Sequence, residues 1–172
     1  MINKDGKTSI IISPFSSVQP NGVKNAKNYP WWNELIYLLI QNDFHTIQIN
    51  PGNEPILKIN SIRFGLNMTE LWKLLYNTDM WISVDNFFHH FAHYHKKYGF
   101  VLWGKSDPNL FGYPENINIL KDRKYLRPNQ FLWWREEPYS EDVFVKPEEV
   151  MNIILQQRKN IGRTIRTENK FI

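Results

Sequence analysis

The chain has 172 residues, 42% of them apolar and 15% aromatic with seven tryptophans, which suits one folded domain with a core of large rings and excludes a disordered chain. It has no cysteine, so disulfides, thiolate metal sites and a cysteine nucleophile are excluded, and no apolar run nears the roughly 20 residues of a membrane-spanning helix. The formal charge of +4 sits at the end of the sequence, where Arg158, Lys159, Arg163, Arg166 and Lys170 outnumber Glu168, so a nucleic-acid reading rests on that tail alone.

In chain order, residues 8–13 (TSIIIS) form a β-branched run stopped by Pro14, as expected of a central strand. Pro20-Asn21-Gly22 marks a loop. Residues 30–41 open with a proline and place Trp32, Leu35, Ile36, Leu39 and Ile40 on one face of a helix. Residues 44–49 (FHTIQI) alternate as a second strand and stop at Pro51-Gly52-Asn53, and a short strand is expected around 56–59. A helix follows over 69–76, capped by Asn67 or Thr69.

Residues 81–84, 100–103 and 117–120 supply three more strands, the first two joined by a helix starting near Asn86. Residues 121–139 read as a long ordered loop and 148–158 as a last helix. Strands and helices alternate almost throughout, which predicts an α/β fold: a single Rossmann-like domain, with about five or six mainly parallel strands and helices on both faces. The domain is expected over residues 1–157, with 158–172 as a basic tail. With no leader pattern at the start, a cytoplasmic protein is expected.

The stretch from 80 to 107 carries most of the chemistry, because a β-α-β unit brings a helix N-terminus and two strand ends to one sheet edge. Asp85 ends a strand and either caps the next helix or reaches into the cleft. At 100° per residue, Phe87, Phe88, Phe91, Ala92 and His95 face the sheet, while His89, His93, Lys96 and Lys97 point away. His90, in the first turn, has a ring nitrogen within reach of a phosphate or sugar hydroxyl. His89 and His93 share a face at i and i+4, but without a carboxylate at ligand spacing or an HExxH pattern no metal is expected, nor any other cofactor. Gly104-Lys105-Ser106 follows the next strand, where glycine lets amides approach an anion and Lys105 or Ser106 adds a charge or a hydroxyl. Glu54, after the second strand, is either a ribose ligand or a solvated turn carboxylate.

In this order the residues resemble the C-terminal, donor-binding half of glycosyltransferase family 9, the ADP-heptose:lipopolysaccharide heptosyltransferases. The family's strand followed by D-[ST]-G-x-x-H-x-A is matched by Asp85-Asn86-Phe87-Phe88-His89-His90-Phe91-Ala92 in its Asp, His and Ala. Its Gly-Pro-Thr loop is matched by Gly104-Lys105-Ser106, and its strand, glycine turn and Glu by residues 47–54. Phe87 stands where the family has glycine, and the acceptor half of the two-domain GT-B fold, with its catalytic base, has no counterpart.

The resemblance implies a nucleotide-sugar donor held by Asp85, Asn86 and His90 on one side and Gly104, Lys105 and Ser106 on the other, with Glu54 on the ribose. It also implies a partner, either a separate acceptor-domain protein or a homo-oligomer. No catalytic residue is assigned. A non-catalytic nucleotide-binding or scaffold module, and a nucleic-acid-associated protein using the basic tail, are the alternatives.

Overall fold

The computed structural model describes residues 6–17, 19, 22, 24–134 and 137–168, with the backbone alone for 160–168. Pro20 and Asn21 of the expected loop and Lys170 of the tail lie outside the described residues. Six strands form one sheet: β1 (Thr8–Ser13), β2 (Phe44–Asn50), β3 (Ser61–Phe64), β4 (Met80–Val84), β5 (Phe100–Trp103) and β6 (Ile117–Leu120). They run in the order β3-β2-β1-β4-β5-β6, and every pairing is parallel. The chain moves outward from β1 first to one side and then to the other, so β1 and β4 flank a topological switch point.

The period-2 alternation of the strands makes two cores. Ile10, Ile12, Ile82, Val84, Phe100 and Leu102 face α1 (Trp32–Gln41) and α5 (Pro147–Glu168). Ile11, Trp81, Val101 and Trp103 face the other way, against α2 (Met68–Tyr76) and α3 (Phe87–Tyr94). Burial on both faces is why the strands read as near-continuous apolar runs. α2 begins at a full capping box, in which the Asn67 side chain accepts from Glu70 N and the Glu70 carboxylate accepts from Asn67 N.

Three elements differ from expectation. The strand expected at 56–59 forms at Ser61–Phe64, because the fully buried Gln48 takes the Pro55 carbonyl and the Leu57 N–H on its own amide, leaving that backbone no ladder to join. A short helix, α4 (Pro108–Phe111), follows β5, capped by Asp107. The last helix runs on to Glu168 instead of ending near 158. Arg158, placed in the tail by the sequence, donates to the Asn42 carbonyl at 2.7 Å and lies over the Phe44 ring, so it docks α5 on the end of α1. Among the described residues no helix is long and apolar enough to cross a membrane.

Candidate functional site

At the switch point the loop after β1 is tied to the start of α3 by Asn86. Its side-chain oxygen accepts from Phe88 N, and its amide nitrogen donates to the Ser13 hydroxyl at 2.9 Å and the Phe15 carbonyl at 2.9 Å. Asn86 is therefore the cap of α3, and Asp85 is not. Beside this tie opens a cavity of about 580 Å³, walled by Ser13, Asn50, Glu54, Arg63, Asn86 and Phe87 over an apolar floor that includes Ile49 and Leu71. A second cavity of about 310 Å³, lined by Lys24, Asn28, Tyr29 and Trp32 among others, shares Phe15 and Glu54 with it. Burial pushes the Glu54 carboxyl up to about 7.

Relieved of capping, the Asp85 carboxylate turns under the loops beyond β4 and β5. Lys27, from the loop before α1, places its ammonium 2.8 Å from Oδ2, and His89 Nε2 lies 3.5 Å from Oδ1. Burial alone would raise the Asp85 pKa, but the adjacent His89 ring, the charge of Lys27 and the Ser106 hydroxyl together hold it down at about 2. Lys27 also sits 4.5 Å from the centre of the Trp134 ring, which shields the pair.

The histidines are arranged differently from the sequence expectation. His89 points inward and is fully buried against Trp103, whereas Phe87 is 56% exposed at the cavity rim. Neither ring nitrogen of His89 makes a hydrogen bond of proper geometry. His90 is exposed, with Nδ1 2.9 Å from the Tyr113 hydroxyl, and its pKa is lowered by burial of part of the ring and by the neighbouring His89. The Tyr113 ring stacks on His93 at 3.6 Å. His93, expected on an outward face, is thus a support for Tyr113.

Gly104, Lys105 and Ser106 do not form an open anion loop. A Cβ on Gly104 would lie 2.6 Å from the Phe144 ring, so the glycine is needed for packing. The Lys105 ammonium is held by Glu137 and by the Pro138 carbonyl, each at 2.7 Å. Ser106 is buried and joins the Asp85 cluster. The expected site therefore divides into Glu54 and Asn86 on the cavity, Asp85, His90 and Ser106 in a cluster next to it, and Gly104 and Lys105 in neither.

The chain shares its fold with a heptosyltransferase. The E. coli ADP-heptose LPS heptosyltransferase II superposes on it with a TM-score of 0.63 and 15% identity, over 89% of this chain and 48% of that one. At that identity the likeness is one of fold, and this chain spans about half the length of its neighbour. No family model and no curated protein matches the sequence.

Sequence reasoning missed Lys27 and Tyr113, and weighed His89 only with His93, on a face pointing away from the sheet. The Asp85-x-x-x-His89 spacing, one helical turn, was a legible signal that the two side chains meet. Lys27 and Tyr113 carry no local signal, since each lies in an irregular segment brought in from another part of the chain. Chemically, the edge offers an open, half-apolar cleft with one underbonded carboxylate, and beside it a dense group of Asp85, Lys27 and two imidazoles. Asp85, His89 and His90 are the described residues able to converge on one metal ion.

Proposed function

We propose that the domain binds a nucleotide-sugar donor in the 580 Å³ cleft and serves as the donor half of a GT-B-type glycosyltransferase, the acceptor half lying outside this domain. The observation that carries this reading is the cleft's place at the carboxyl ends of β1 and β2 in a 3-2-1-4-5-6 parallel sheet, where α/β folds bind nucleotides. The fold likeness to a heptosyltransferase supports it.

Each part of such a donor has a complement on this edge. The floor of Ile49, Leu66 and Leu71 with the exposed Phe87 ring suits a base, and the volume falls in the usual range for small-ligand sites. Among the described residues no donor meets the Glu54 carboxylate, and the vicinal hydroxyls of a ribose would supply them. Arg63 and the N-terminus of α3 suit the diphosphate, and His90 with the Asp85 cluster stands further along the same edge. Departure of the diphosphate needs this positive potential, while deprotonation of the acceptor needs a base that this reading assigns to the acceptor half.

Titration calorimetry against ADP-, UDP- and GDP-sugars tests the reading. Saturable binding of one of them, weakened by about 1.5–3 kcal/mol in Glu54→Gln, is expected, the range for a hydrogen bond to a charged group. Ionised Glu54 is the form that accepts from the diol, so affinity should rise as pH increases through about 7. Absence of binding to all three at millimolar concentration would reject the proposal.

A further inference from the structure

We propose that Asp85, His89 and His90 form a binding site for a zinc-class divalent cation. Each offers a ligand atom, and these atoms lie within 4.8 Å of one another. The Asp85 Oδ1 to His89 Nε2 separation, 3.5 Å, already matches the edge of a tetrahedron with metal bonds of about 2.1 Å, which is about 3.4 Å long. The His90 ligand atom stands within 4.8 Å of the other two, so a bound ion that draws the three together closes the third corner.

The surroundings orient all three groups. Asp85 is ionised, and Lys27 holds its Oδ2, which leaves Oδ1 toward the histidines. His90 meets the Tyr113 hydroxyl through Nδ1, and Tyr113 is fixed by its stack on His93. With the Nδ1 proton donated to Tyr113, the Nε2 lone pair of His90 is left for an ion, the outer-shell pattern typical of metal-bound histidine. His89 supplies the independent observation. It is fully buried, next to a carboxylate, and neither nitrogen is hydrogen bonded, an arrangement that a bound cation would satisfy.

Two imidazoles and one carboxylate suit zinc, cobalt or ferrous iron better than calcium or magnesium, which prefer all-oxygen shells. Three protein ligands leave a fourth position open on the exposed His90 side. The Lys27 ammonium next to a dication favours an anion there, such as hydroxide or a phosphate oxygen.

The test titrates Zn²⁺ and Co²⁺ into the whole chain without nucleotide, reading heat for zinc and visible absorption for cobalt. One site per chain is expected, with the intense bands of low-coordinate cobalt. His90→Ala, an exposed substitution that should leave the fold intact, is expected to weaken binding by about tenfold or more. His95→Ala, at the opposite end of the same helix and outside the set, should bind as the parent does. Failure to bind either ion at micromolar concentration, or equal binding by the parent and His90→Ala, overturns the proposal. Because no nucleotide is present, a negative result here leaves the donor reading standing, and failure of nucleotide binding leaves this site standing.

Discussion

Two carboxylates stand on the same sheet edge and are pushed in opposite directions. Glu54, beyond β2, is raised to about 7 by burial, which no donor among the described residues offsets, whereas Asp85, beyond β4, is more deeply buried and yet held at about 2 by His89, Lys27 and Ser106. Burial acts alike on both, and the difference lies in what each was given to bond with. The β1–β2 side is therefore an open cleft with unmet hydrogen-bonding capacity, and the β4–β5 side is a denser cluster in which Lys27 balances the Asp85 charge while the His89 ring is left without hydrogen bonds. Ligand chemistry belongs where capacity is unmet: on Glu54, and on the bare nitrogens of His89.

The largest effect should come from the denser side. Asp85→Ala leaves the Lys27 ammonium, 16% exposed, without its counter-charge, and is expected to cost about 3 kcal/mol or more in urea unfolding. A loss below about 1 kcal/mol would mean that solvent screens the pair, and the contrast with Glu54 would collapse. Gly104→Ala comes next. Its methyl meets the Phe144 ring, so a cost of about 1–3 kcal/mol is expected, partly restored by Phe144→Leu and with nucleotide affinity unchanged. Lost affinity at unchanged stability would instead place the Gly104 backbone against a ligand.

The smallest effect is on the open side and has a definite pH signature. The folded pKa of Glu54 lies above its ordinary 4.5, so between about 4.5 and 7 the native state binds more protons than the unfolded chain. Stability then falls as pH rises through that window and is level beyond it. Glu54 is only partly buried, and with solvent screening the loss is on the order of 1 kcal/mol. Glu54→Gln should therefore be more stable than the parent at pH 8 and equal to it at pH 4 in thermal melts. Gaining stability while losing nucleotide affinity would identify Glu54 as a group kept for binding. A flat pH response would show that it is already supplied with donors.

The sequence by itself determined the α/β class, the parallel strands and nearly every element, because burial on both sheet faces leaves apolar runs and capping leaves local marks such as Asn67-x-x-Glu70. It also singled out the β4-α3-β5 unit. The direction of the α3 side chains was decided only by the tertiary structure. In a helix of 8 residues, an apolar stripe broad enough to include Phe87 fits more than one orientation, and the choice fell to Asp85, whose charge makes an inward His89 tolerable and an outward Phe87 necessary. Tertiary packing likewise decided which basic groups are free: Glu137, 32 residues on, takes Lys105 out of the cleft, and Lys27 arrives at Asp85 from a segment with no pattern of its own. Periodicity records the burial of a side chain relative to its own element, whereas a site is built from contacts between elements, which only the closed fold brings together.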